Sequence, residues 1–374
     1  MLIGVPKEIK PQENRVGLIP ACVRELTRRG HEVIVEQGAG QGIGATDAHY
    51  RNAGAHIEAD VDALFRAAEL IVKVKEPLQV ERKRLRRGQA LFTYLHLAAD
   101  KVLTDEVVQS GATSIAYETV TSPEGGLPLL APMSEIAGRM SVQAAANCLE
   151  THHRGKGVLL GGAVGVEPSN VVILGGGIVG SNAASMALGL GASVTVIDRS
   201  AHVLRALNAR FGDRLKTAFP FRETISRLLE TADCVIIGVL VPGAAAPRLV
   251  LASELGTIEP GSVLVDVAID QGGGAETSRP TTHAEPTYVI DDIVHYCVAN
   301  MPGAVARTST YALNNATLPF VLDLADMGVE KALRTNVHLR RGLNAYRGEL
   351  TNDDVAHALG LTARAPESAL AEAA

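Results

Sequence analysis

The segment VVILGGGIVGSNAASMALGLGASVTVID (171–198) limits the folds open to this chain more than any other stretch. An aliphatic run leads straight into Gly175, Gly177 and Gly180, and a small-residue, helix-prone stretch comes after them. A second β-branched run, SVTVID (193–198), then ends on Asp198. Strand, tight turn, helix and strand make a βαβ unit, and such units build parallel sheets covered on both faces. Each glycine has its own steric reason: the turn, a close approach of backbone to a pyrophosphate, and close packing of helix on strand. The helix N-terminus offers free N–H groups and the positive end of a dipole to that pyrophosphate. Asp198 stands where a carboxylate accepts hydrogen bonds from adenosine ribose hydroxyls. It favours NAD over NADP, since its charge repels a 2′-phosphate. Arg199 comes next, but adjacent strand residues face opposite ways.

At 374 residues the chain exceeds one ordinary core, so two domains are expected. Before residue 132, HEVIVEQ (31–37), LIVKVK (70–75), ALFTYLH (90–96) and TSIAYETV (113–120) have the composition of strands. PACVRELTRRG (20–30), VDALFRAA (61–68) and LTDEVVQSG (103–111) have helical spacing between them. A loop rich in Gly and Pro ends at Met133, with Ser134 as the expected N-cap of a long helix through IAGRMSVQAAANCLETHH. The second alternating block continues through ADCVIIGVLV (232–241) and SVLVDVAID (262–270), and a long helical stretch returns after Ala304. The fold class is therefore α/β, with two doubly wound Rossmann-like domains, a cleft between them and long linking helices. One domain is discontinuous, 1–132 with 305–374, and the dinucleotide domain is 133–304. The Ala-rich tail after Pro366 is expected to fray.

Composition excludes other classes. A net charge of -6 leaves no surplus of Lys and Arg to pair with nucleic-acid phosphates, and 3% aromatic residues give little for bases to stack on. Cys22, Cys148, Cys234 and Cys297 are scattered through apolar stretches, which suits buried reduced thiols and gives no metal spacing. No apolar run reaches membrane-spanning length, and the N-terminus opens directly into a strand-like LIGVP. A cytoplasmic protein is expected, with no membrane or nucleic-acid partner.

Three residues of the first block carry candidate chemistry. Arg15 sits in PKEIKPQENRVGLIP, Lys75 ends LIVKVK and His96 ends ALFTYLH. Open α/β sheets place ligands beyond strand C-terminal ends. Each also has an ordinary alternative: a surface charge, a solvated strand end, a loop histidine.

The chain resembles the alanine dehydrogenases over essentially its whole length. The resemblance is carried by IGVPKEIKPQENRVGL, KVKEPL, FTYLHLA, PMSEIAGRMSVQ, LLGGAVGVEPSNVVILGGGIVG, GVLVPGAAAP, VDVAIDQGGG, SRPTTH, YCVANMPGAV and TSTYAL. It implies a homohexamer that uses NAD to interconvert L-alanine with pyruvate and ammonium. It implies Arg15 and Lys75 as the grip on substrate carboxylate and carbonyl, Met133 beside the small side-chain pocket, and His96 with Asp270 as the acid/base pair. On the cofactor side it implies Ser134, Ile178, Val179, Asp198, Val239, Leu240, Arg279 and the segment Val267, Ala268, Ile269, Asp270. Val298, Ala299, Asn300 and Met301 would lie near the nicotinamide.

The chain departs from its relatives at Val203 and Pro220, where a basic residue and a serine usually stand beside the adenosine. Asp323 and Met327 replace a Glu and a His proposed in some relatives to bind magnesium. Met is a poor ligand for a hard cation, so no metal is expected. Asp266, inside its strand, is expected to be structural rather than catalytic. Three alternatives stay open: the nucleotide-binding part of a proton-pumping transhydrogenase, another small amino-acid or opine dehydrogenase, and a silent NAD(H) sensor.

Overall fold

A computed structural model describes residues 1–239 and 246–372. They form two compact units, Met1–Met133 with Gly303–Ala374, and Ser134–Pro302. The first unit begins with β1 (Leu2–Val5), β2 (Glu32–Glu36), β3 (His56–Glu58), β4 (Leu70–Val72), β5 (Ala90–Thr93) and β6 (Thr113–Ala116). The second holds β7 (Asn170–Leu174), β8 (Ser193–Ile197), β9 (Leu215–Ala218), β10 (Cys234–Ile237), β11 (Val263–Asp266), β12 (Thr287–Ile290) and β13 (Ile293–Tyr296). The chain then returns to the first unit with β14 (Leu343–Tyr346) and β15 (Glu349–Leu350).

Both sheets wind in the same order. The first runs β3-β2-β1-β4-β5-β6, all parallel, and the second β9-β8-β7-β10-β11-β13, also parallel. In each, strand order reverses beside the first strand, between β1 and β4 and between β7 and β10. That reversal opens a crevice beyond the strand C-termini where ligands of doubly wound sheets bind. β12 adds an antiparallel edge to the second sheet, and β14 with β15 an antiparallel edge to the first. The inner strands β4, β5, β6, β10 and β11 are buried along their whole length, as strands covered on both faces must be.

Several boundaries differ from the sequence expectation. β4 stops at Val72, three residues short of Lys75, and β11 stops at Asp266, with Asp270 on a 3-10 turn beyond it. The Asp266 side chain explains the second case: it accepts from the Ala268 N–H at 3.0 Å and turns the chain out of the sheet. Ser134 is not the N-cap. The long helix starts at Ala131, with Pro132 tolerated in its first turn, and it ends at Cys148 rather than running through His153. The tail after Pro366 is a helix, Pro366–Ala371, with Ala369 and Leu370 buried and Arg334 donating to the Leu370 carbonyl at 2.7 Å. Four free cysteines are buried. Among the described residues no helix is long and apolar enough to cross a membrane.

Candidate active site

In the first unit the candidate residues gather beyond the ends of β1, β4 and β5. Arg15 is 2% exposed on the loop after β1. Its Nε and Nη2 donate to the Glu13 carboxylate at 2.7 and 2.6 Å, and its Nη1 lies 3.0 Å from the Met133 sulfur. Burial works against the Arg15 charge, but the bond to Glu13 outweighs it and raises the pKa above the ordinary arginine value. The loop is built to be held still. Gly17 packs so tightly on the end of β4 that a Cβ there would fall 2.2 Å from the Val72 carbonyl oxygen. Asn314, fully buried on helix Ala306–Met327, accepts from the Ile19 N–H at 2.7 Å and donates to the Gly17 carbonyl at 3.1 Å. The C-terminal return of the chain thus locks the loop that carries Arg15.

His96 is exposed, with a left-handed backbone at φ 51°. Such a conformation strains a non-glycine residue and persists only where neighbours impose it. Glu118 does so, accepting from the His96 N–H at 2.6 Å and the Leu95 N–H at 3.1 Å. The imidazole stacks on buried Tyr94, with centroids 5.8 Å apart. Half-buried Lys75 lies next to Glu76. Burial pushes the Glu76 carboxyl up, but Lys75, Lys10 and His96 outweigh it and hold it below the usual range. Lys75 and His96 therefore share one neighbourhood, and Arg15 adjoins it through Tyr94, whose hydroxyl feels its charge.

In the second unit the candidates line the C-terminal ends of β7, β8, β10, β11 and β13. Gly175 has φ 99°, and a Cβ at Gly180 would fall 1.8 Å from the Gly175 carbonyl oxygen. Among the described residues nothing lies within 4 Å of where a Cβ at Gly177 would point, so they leave room there beside the N-terminus of helix Ile178–Gly189. That open cradle fits a pyrophosphate. Asp198 is half-buried and braces the same turn, accepting from the Gly176 N–H and the Ser200 N–H at 2.7 Å each. Its two oxygens retain lone pairs for a ribose. Val239 lies against Gly175, Ile178 is exposed and Val179 is buried. Val203 packs over Gly176 and onto the sheet core, while Pro220 is exposed.

Asp266 is fully buried and holds the loop after β11. Besides Ala268 it accepts from the Gly274 N–H at 2.7 Å and the Ser278 hydroxyl at 2.5 Å. Ala268 and Ile269 are buried, Val267 is half-buried and Asp270 is exposed. Arg279 is exposed, with its guanidinium 4.3 Å from the Tyr288 ring centroid. Val298 and Met301 are buried, while Ala299, Asn300 and Ser134 are half-buried. Leu240 lies outside the described residues. Asp323 is half-buried on helix Ala306–Met327, and Met327 accepts from the Thr335 hydroxyl at 4.0 Å. One group among the described residues has converging metal donors: Glu150, His152 and His153, exposed and within 4.8 Å of one another, away from these strand ends.

Sequence reasoning missed Glu13, Glu118, Asn314 and the buried Lys73. Glu13 was visible two residues before Arg15, but nothing local distinguishes a brace from a surface charge. Asn314 is nearly three hundred residues from its partner loop, so no local signal exists.

Family models described as alanine dehydrogenase/PNT, N-terminal and C-terminal domains, match residues 4–137 and 141–353. A protein of Halomonas elongata named alanine dehydrogenase is 60% identical over 361 residues, covering 96% of this chain and 97% of that one. A solved structure titled L-alanine dehydrogenase has a TM-score of 0.93 at 50% identity, over 96% of this chain and 99% of that one. A transhydrogenase structure from Sinorhizobium meliloti has a TM-score of 0.82 over 94% of this chain and 100% of that one; at 22% identity the likeness is one of fold.

Proposed function

The chain belongs to the alanine dehydrogenase/PNT family, and from that premise we propose that it is an NAD-dependent L-alanine dehydrogenase. The reaction converts L-alanine, water and NAD+ to pyruvate, ammonium, NADH and a proton, and runs in either direction. The observation that carries it is the 60% identity, over nearly the full length of both chains, to a protein named alanine dehydrogenase. The transhydrogenase likeness reaches the fold alone.

The cofactor would be held by the Gly175–Gly180 turn, Asp198 and the strand ends around Val239, Asp270 and Asn300. When bound, its nicotinamide supplies the acceptor for the hydride leaving Cα. The chain's own side chains do the rest. Arg15, braced edge-on by Glu13, presents a fixed fork to the substrate carboxylate. Met133, against the same guanidinium, fills space beside the substrate methyl. Lys75 sets a positive charge beside the oxygen that becomes the pyruvate carbonyl. His96 exchanges a proton with the carbinolamine as water adds and ammonia leaves. Asp270 is the carboxylate assigned to the water proton.

Assembly as a homohexamer and a cytoplasmic location belong to the same proposal. Exposed Leu159, Val164 and Val166 beside one short β-bridge support self-association. Four unbridged thiols suit a reducing compartment. The deciding assay is NADH oxidation with pyruvate, which should require ammonium. Each methylene added to the 2-oxo acid should cost about 1–3 kcal/mol in kcat/KM. Equal rates with pyruvate and a branched 2-oxo acid would refute the pocket assignment, and ammonium-independent turnover would refute the reaction.

A further inference from the structure

Three ionisable side chains are sealed beneath the end of β4. Lys73 is 1% exposed, Glu81 2% and Glu8 6%. Lys73 Nζ lies 3.1 Å from Glu8 Oε2 and 3.1 Å from Glu81 Oε1. The three come from different segments: the loop after β1, the extended chain after β4, and helix Gln79–Arg82. As a device for stability such a cluster is poor, because desolvation consumes most of what the attraction returns and apolar packing would serve as well.

The cluster is distinguished by where its remaining bonds go. Glu8 Oε1 accepts from the Val74 N–H at 2.6 Å and the Lys75 N–H at 3.3 Å. Lys73 Nζ donates to the Lys75 carbonyl at 3.1 Å, and the Thr93 hydroxyl donates to the same oxygen at 2.9 Å. Glu81 Oε2 accepts from the Leu78 N–H at 2.7 Å. An ammonium has three donors, and here three acceptors, Glu8, Glu81 and the Lys75 carbonyl, surround it. β4 has already ended at Val72, so this stretch needs other partners for its peptide groups.

We propose that Glu8, Lys73 and Glu81 are positioning residues for the proposed reaction, an ionic clamp on the peptide groups of Lys75 that fixes where its ammonium stands. The proposal rests on the role given to Lys75 above. Burial works against the Lys73 charge, but Glu8 and Glu81 outweigh it and hold its pKa above the ordinary lysine value; at Glu8 burial outweighs Lys73 and pushes the carboxyl up, so the clamp is carried by the bond geometry. Lys75 reaches out on a flexible four-carbon stem, and a stem is only as well placed as the backbone it grows from.

Glu8→Gln keeps the shape and an acceptor for the Val74 and Lys75 N–H groups but removes the charge facing Lys73. Thr93→Val removes a donor to the same Lys75 carbonyl from outside the ionic cluster. Both are compared with Lys75→Met by kcat and KM for pyruvate, counted per NADH-binding site, with NADH Kd and Tm measured alongside. Glu8→Gln should lower kcat per site about tenfold or more, and Thr93→Val by a few-fold, with NADH Kd unchanged. A purely structural role would lower Tm or the number of binding sites and leave kcat per site alone. If Glu8→Gln does not fold, Glu81→Gln, which removes the other charge facing Lys73 and keeps an acceptor for the Leu78 N–H, decides by the same measure. Unchanged kcat per site with an inactive Lys75→Met overturns the clamp and leaves Lys75 in its role; an active Lys75→Met overturns both.

Discussion

The two units wind their parallel strands in the same order and put their candidate residues at the same place, beyond the strand C-termini at the order reversal. They differ in the connection that leaves the first strand. After β7 the chain turns at once through glycines into helix Ile178–Gly189. After β1 it makes a long loop to helix Pro20–Arg28, carrying buried Glu8, Glu13 and Arg15. The second unit thus offers backbone N–H groups and a helix dipole, which suit the spread charge of a pyrophosphate. The first offers fixed side-chain charges, which suit a small carboxylate that must be held in one orientation. Strand order places the crevice, and the first loop decides which groups line it.

This division of labour should show most strongly in turnover. His96→Ala should lower kcat by roughly 10²–10⁴-fold, the ordinary weight of a general acid/base, while NADH affinity measured by nicotinamide fluorescence stays within twofold. A large loss of NADH affinity would place His96 on the cofactor side and dissolve the contrast.

The glycine turn should separate fold from binding within the second unit. Gly180→Ala drives a methyl into the Gly175 carbonyl and should destabilise the unit by about 1–3 kcal/mol, read as a fall in the urea midpoint. Gly177→Ala adds a Cβ that meets none of the described residues, so the midpoint should hold while NADH weakens at least tenfold. If both variants bind NADH normally, the turn is not the phosphate cradle.

The smallest effect per residue concerns pH. Burial pushes the Cys22 and Cys148 thiols up to about 11, and Cys234 and Cys297 also upward. In the unfolded chain a thiol ionises near pH 8.5. Between those values the folded state holds the proton and the unfolded state releases it, so stability falls as pH rises. Cys22 and Cys148 should each cost about 1–2 kcal/mol at pH 10 relative to pH 7. Three of the four thiols lie in the second unit. Pulsed alkylation across a urea series, read cysteine by cysteine, should show those three yielding at lower urea at pH 10. Equal shifts at Cys22 and at the others would remove this asymmetry between the units.

The second unit's site was the more legible of the two because steric demands are local. Only glycine allows the approach at Gly180, and Asp198 has to come after the next strand, so motif and meaning lie within thirty residues. The place of Asp266 inside a strand marks it as structural, and it does brace the loop after β11. In the first unit spacing showed Arg15, Lys75 and His96 only as polar groups at a loop and two strand ends, and their roles came from the family resemblance alone.

By itself, then, the sequence determined the two alternating blocks, the glycine turn with its acidic partner, the buried thiols and, through family resemblance, the activity. These depend on residue type and short spacing, which a linear chain displays directly. Only the tertiary structure decided where β4 and β11 stop, that the tail after Pro366 is packed, and which charges brace others. Glu13 on Arg15, Glu118 under His96 and Asn314 across the Gly17 loop are matters of distance and burial. A hydrogen bond between residues far apart in sequence leaves no periodic trace, because its energy depends on geometry that exists only once the chain has closed on itself.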